Sequence, residues 1–158
     1  ELFTLLQEIL PHSGKYVSLG CGLIPELPFV ENFDNVFVDM RQIVHDTETI
    51  VKMSDIEYLD SCADCKVDFL AVFDIDSSIQ LDDIISLAEK KLTPQGVLLI
   101  TERKDNVRLY GRCRLPEISD GARGTKELAV VTRPTNFGHY VLLLANSSKV
   151  KKFKKLVH

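Results

Sequence analysis

Apolar residues fall along this chain in short blocks that switch between helical and strand spacing. Leu2, Phe3, Leu6, Ile9 and Leu10 share one helical face, and Pro11, Ser13 and Gly14 then stop the helix. Lys15 to Leu19 is a strand-like run that breaks off at Gly20-Cys21-Gly22, the first half of a nucleotide-binding turn. The helix expected after such a turn is interrupted by Pro25 and Pro28, which leave at most a short piece near Phe29 to Phe33. Val36 to Val38 is a second strand closed by Asp39. Arg41 to Thr49 follows with a helical pattern, and Ile50 to Met53 make a short third strand ending at Ser54-Asp55.

Beyond a polar connection around Cys62 to Lys66, Phe69 to Phe73 is continuously apolar, as in strands covered on both faces of a parallel sheet, and it ends at Asp74-Ile75-Asp76. Leu81, Ile84, Ile85, Ala88 and Leu92 repeat at helical spacing until Pro94-Gln95-Gly96 breaks the pattern before a strand from Val97 to Thr101. Strand, helix, tight break and strand make a βαβ unit. Glu102 to Lys126 is polar, basic and glycine-containing, with a weak helical pattern through Val107, Leu109 and Leu115. Leu128 to Thr132 and Tyr140 to Ala145 then predict an antiparallel hairpin around a loop containing Gly138.

The 158 residues, 45% of them hydrophobic, suffice for one compact domain with a buried core. The 23 carboxylates against 19 Lys and Arg argue against a nucleic-acid binder whose whole surface tracks phosphates, while leaving room for local basic patches. Four cysteines, Cys21, Cys62, Cys65 and Cys113, are too few for a disulfide framework and imply a reducing compartment, the cytoplasm by default. Cys62 and Cys65 form a lone CxxC without the second ligand pair that structural zinc needs. No apolar run approaches the about 20 residues of a membrane span, and no signal peptide pattern opens the chain. The first residue is Glu1 rather than Met, so a fragment or processed product is expected.

Successive βα repeats closed by a hairpin, together with four local features, resemble the class I S-adenosylmethionine (SAM) dependent methyltransferases. Val17-Ser18-Leu19-Gly20-Cys21-Gly22 is similar to the family's first motif, where a glycine turn after the first strand admits the methionine part of SAM. Asp39 matches the acid that binds the ribose hydroxyls, because a carboxylate accepts two hydrogen bonds from a cis-diol. Asp55 stands where the family contacts the adenine amine, and Leu92 to Ile100 resembles its Leu-x-Pro-Gly-Gly strand opening. The resemblance implies a Rossmann-like three-layer αβα sandwich, its sheet mostly parallel with an antiparallel C-terminal hairpin. It implies SAM against Leu19, Gly20, Cys21, Gly22, Asp39, Met40, Asp55 and Asp74, with Asp74 also the candidate base. Residues 1–148 then form the domain and 149–158 a basic, solvated tail.

The departures from the family pattern are specific. Ser18 stands two positions before the first glycine, where the family has an acid, and Ile24 and Pro25 replace a third small residue. Phe73-Asp74-Ile75-Asp76 lacks the Asn/Asp-Pro-Pro-aromatic signature of amino-group methyltransferases, and Thr101 and His139 fall where ribose methyltransferases have Lys and Glu. The methyl acceptor is therefore open. A catalytically silent interaction module on the same fold is the rival reading. A nicotinamide enzyme is disfavoured by Pro25 at the third glycine of GxGxxG. Asp39 and Asp55 could equally be helix caps, Ser54-Asp55 before Glu57 being a plausible helix start. Arg103, Lys104, Arg108, Arg112, Arg114 and Arg123 make a locally basic candidate for a partner surface, the partner being an unknown methyl acceptor or protein.

Overall fold

The computed structural model describes residues 2–19, 30–39, 50–72, 81–103, 121–132 and 139–157. Its elements are α1 (Leu2–Leu6), β1 (Gly14–Leu19), β2 (Phe33–Val38), β3 (Ile50–Val51), α2 (Asp55–Ser61), β4 (Val67–Val72), α3 (Leu81–Lys91), β5 (Leu92–Arg103), β6 (Gly121–Arg123), β7 (Lys126–Thr132), β8 (His139–Ala145) and a C-terminal helix, α4 (Ser147–Val157). The strands form one eight-stranded sheet in the order β3-β2-β1-β4-β5-β8-β7-β6. The pairs β1 with β2, β1 with β4, β2 with β3 and β4 with β5 are parallel, whereas β8 pairs antiparallel with β5 and β7, and β7 with β6.

Period-two alternation in the strands sends side chains to two separate cores. Val17 and Leu19 of β1 pack with Leu59 of α2 and with Leu81, Ile84, Ile85 and Ala88 of α3. Tyr16 faces the other way with Phe37 and Phe69, covered by Leu6 and Ile9 from the α1 region and by Val150 and Phe153 of α4. Tyr16 stacks on Phe69 at 4.8 Å between ring centroids and meets Phe37 edge-on at 6.3 Å. Helices therefore cover both sheet faces, the three-layer sandwich expected. The helix α3 forms where the 3.6-residue apolar spacing is strongest, with Asp82 and Asp83 in its first turn and Lys90 and Lys91 in its last, each matching the helix dipole.

Four local expectations need correcting. The piece near Phe29 to Phe33 is not helical where it is described. Asn32 takes a φ of 68°, and the Asn35 side chain bonds Val30 N–H and the carbonyls of Val30 and Phe33, so the chain turns sharply and β2 begins at Phe33. Pro94-Gln95-Gly96 interrupts the β4–β5 ladder rather than preceding β5, with pairing resuming at Phe69↔Val97 after Val67↔Leu92. Glycine suits position 96, since a Cβ would lie 3.0 Å from the Val67 carbonyl oxygen and push on the backbone there. The edge strand β6 was not expected at all. It turns into β7 through Gly124-Thr125, with Gly124 at a φ of 59°. Finally, residues 149–157, expected as a solvated tail, lie in α4, whose Val150 and Phe153 are fully buried.

Candidate functional site

The strand order reverses direction at β1, which has β2 on one side and β4 on the other, and open α/β sheets hold ligands at the carboxyl ends of the strands flanking such a point. The described floor of this crevice is apolar. Leu19 closes β1 with no exposed surface and pairs with Val38 of β2 and Val72 of β4, both buried.

Asp39 stands one residue beyond the Leu19↔Val38 pair. Its N–H donates to the Val51 carbonyl at 3.0 Å, extending the β2–β3 ladder past the end of β2 and fixing the residue's position. The residue is 4% exposed, so a carboxylate is held in a mostly buried position at the end of a central strand.

Ser18 is the second polar group of this region. It sits one residue before Leu19, fully buried, and its Oγ has no hydrogen-bond partner among the described residues. Strand register places it between Phe37 and Ala71. An orphaned hydroxyl here is the counterpart of the motif acid anticipated from the resemblance, without the negative charge.

Asp55 falls in the first turn of α2, capped by Ser54, whose Oγ accepts from Glu57 N–H at 3.2 Å. Ser54 thus caps a helix start, and a carboxylate in that turn complements the helix dipole. Gly20, Cys21, Gly22, Met40 and Asp74, and the expected helix from Arg41 to Thr49, lie outside the described residues. Of the expected site residues, the structure thus places Leu19 and Asp39 at adjacent strand ends and puts Asp55 beyond β3 at the same end of the sheet.

The opposite end of the sheet holds polar groups that sequence reasoning missed. Asp68 accepts from Lys15 N–H at 2.8 Å and from the Thr93 hydroxyl at 3.0 Å. Lys126 donates to the carbonyls of Pro94 and Gly96 at 3.1 and 3.0 Å, and Lys149 to that of Gln95 at 2.6 Å. Burial first, then the neighbouring Lys149 charge, pushes the Lys126 ammonium below the usual lysine range. Burial does the same to Lys149 against the opposing pull of Asp68. Lys91 ties down the CxxC loop through the Cys62 carbonyl at 2.6 Å and Asp64 at 3.0 Å. These pairings join residues 25 or more positions apart, so no local pattern announces them.

Cys62 and Cys65 are free thiols. Among the described residues no group of three or more His, Cys, Asp or Glu is placed to hold a metal ion, and no helix is long and apolar enough to cross a membrane.

No protein-family model and no curated protein matches this chain. Solved structures do. A SAM dependent methyltransferase from Archaeoglobus fulgidus is similar with a TM-score of 0.61 at 16% identity, over 92% of this chain and 92% of that one. A candidate type 11 methyltransferase from Sulfolobus solfataricus gives 0.52 at 18%, over 84% and 83%. A candidate type II methyltransferase from Anaeromyxobacter dehalogenans gives 0.51 at 20%, over 64% of this chain and 46% of that longer chain. The fold is that of the SAM-dependent methyltransferases.

Proposed function

We propose that this chain, built on the methyltransferase fold, binds S-adenosyl-L-methionine across the carboxyl ends of β1 and β2 and transfers its methyl group to an acceptor. The observation that carries this reading is Asp39, a carboxylate held 4% exposed one residue past the Leu19↔Val38 pair at the reversal point of the sheet. A ribose cis-diol offers two donors to such a carboxylate. Leu19, Val38 and Val72 supply an apolar floor that excludes water. On the sequence, Gly20 and Gly22 follow β1 and leave room for close backbone approach, and Met40, Asp55 and Asp74 complete the proposed contacts.

SAM supplies an electrophilic methyl group on a sulfonium. The chain's own work is to orient that group for in-line attack and, where the acceptor has a proton to lose, to remove it, for which Asp74 after β4 is the candidate.

Ser18 favours a second reading, a fold retained as an interaction module. A neutral buried hydroxyl replaces the charge that would oppose the cationic methionine moiety. Calorimetric titration of the folded chain with SAM and with S-adenosylhomocysteine, repeated on Asp39→Asn, separates the two. Micromolar binding that weakens in the variant supports the enzyme reading, and heat-silent titrations of a cooperatively folding wild type overturn it.

A further inference from the structure

The charge of the whole chain hides a division along it. Thirteen of the 19 Lys and Arg lie after position 102, with only four of the 23 Asp and Glu. In the sheet the boundary falls at the end of β5: the acidic part contributes the parallel strands, and the basic part contributes β6, β7, β8 and α4. Within the basic part α4 is the densest element. It carries Lys149, Lys151, Lys152, Lys154 and Lys155 and no acid.

Its apolar side, Val150 and Phe153, is spent on the sheet, so Lys151, Lys152 and Lys155 stand exposed on the outer side. Lys149 and Lys152 donate to backbone carbonyls of Gln95 and Glu8, bonds that fix the side chains without neutralising them. Among the described residues, no carboxylate forms an ion pair with Lys149, Lys151, Lys152 or Lys155. Glu8 and Glu127 are the nearby acids: Glu8 meets Lys152 through its backbone carbonyl, and the Glu127 carboxylate accepts from Ser147 at the start of the helix.

We propose that the outer face of α4 binds the phosphate backbone of a nucleic acid. Three observations select that partner. Protein interfaces are depleted in Lys and centred on aromatic or Met anchors, and this face offers neither aromatic nor Met. A membrane-surface helix turns its apolar side outward, whereas here Leu156 is the single large exposed hydrophobic among the described residues. Lys151 and Lys155 are one turn apart, about 6 Å along the axis, a row of mobile point charges suited to a repeating polyanion. The acidic parallel half repels the same polyanion and so confines it to this flank.

The test is fluorescence anisotropy with labelled oligonucleotides of about 20 nucleotides, single-stranded oligo(dT) and a duplex, between about 50 and 200 mM salt. The wild type should bind at low salt. Lys151→Glu/Lys152→Glu/Lys155→Glu should weaken binding at least tenfold and flatten the log–log salt slope by roughly 2 for the single strand, three contacts at about 0.7 each. A Gln triple at the same positions should fall between, and it carries the test if charge reversal perturbs folding by circular dichroism. Lys66→Glu/Lys90→Glu, exposed on the acidic half, should change affinity less than twofold. Wild-type binding to neither oligonucleotide, equal loss in the control pair, or tighter binding of polyglutamate or phosphatidylserine vesicles would each overturn the proposal. None of these outcomes depends on SAM binding.

Discussion

The two ends of the parallel strands differ in their polar groups. At the amino end every described polar side chain of note is spent on the protein itself: Asp68 on Lys15 and Thr93, Lys126 on two carbonyls of the Pro94 to Gly96 turn, Lys91 on the CxxC loop. At the carboxyl end the described polar groups include a buried carboxylate, Asp39, a buried Thr101, and a buried hydroxyl with no partner among the described residues, Ser18. Satisfied networks hold a fold together, whereas polarity concentrated at strand ends over an apolar floor is what a ligand site requires. The difference predicts that substitutions away from the crevice cost stability and spare SAM affinity, and that substitutions in it do the reverse.

Phe153→Ala should give the largest effect. Its ring is fully buried between α4 and the sheet, and such truncations cost about 3–5 kcal/mol. Urea unfolding should show that loss, with SAM affinity intact at temperatures where the variant is folded. A loss below about 1 kcal/mol would mean that α4 is not part of the cooperative unit.

Asp39→Asn sharpens the comparison from the other side. Asn keeps one acceptor oxygen, so one of the two hydrogen bonds from the diol is lost, and at about 1.5–3 kcal/mol that makes a loss of SAM affinity of at least roughly tenfold the expected result. Equal affinity in both proteins would remove Asp39 from the site.

How much of this was visible beforehand depends on how local each signal is. β1, β4 and α3 were legible because Val17 to Leu19, Phe69 to Val72 and Leu81 to Ala88 carry their own period. The antiparallel β7–β8 hairpin and Asp39 at a strand end were legible for the same reason. β6 was not, because Gly121-Ala122-Arg123 is exposed and strand-like only through its pairing with β7. α4 was missed because five lysines outweigh Val150, Phe153 and Val157, although these three fall at i, i+3 and i+7 on one face. The orphaned hydroxyl of Ser18 could be recognised only once both of its neighbouring strands were in register.

Lys126→Met tests the amino end. The side chain is 6% exposed, and removing its ammonium leaves the Pro94 and Gly96 carbonyls without that donor, a cost of about 1–3 kcal/mol with SAM affinity unchanged. The pH dependence has a definite sign. Lys126 and Lys149 titrate below 10.5 when folded, so in the alkaline window just under that value the unfolded chain binds more protons and their share of stability rises with pH. Tyr58 acts oppositely above 10.0, because its burial raises the phenol and the unfolded chain loses that proton first. Denaturant midpoints compared between the wild type and Lys126→Met/Lys149→Met isolate the lysine share, which should appear as a shallower alkaline rise in the variant.

Ser18→Ala should give the smallest effect and the cleanest distinction between fold and site. A buried hydroxyl without a partner costs roughly 1–3 kcal/mol relative to solvent, so deleting it relieves that penalty against a small packing loss, and the variant should be more stable by about 1 kcal/mol. The same change removes a polar group from the strand leading into the crevice. If that hydroxyl serves the ligand, directly or through a bridging water, SAM affinity falls severalfold as stability rises, and the two measurements move in opposite directions. If stability rises and affinity is untouched, Ser18 is a remnant with no binding role, which favours the interaction-module reading on this point. A fall in stability of 1 kcal/mol or more would mean that the hydroxyl is bonded in solution, and the contrast between the two ends of the sheet would then lose its orphaned group.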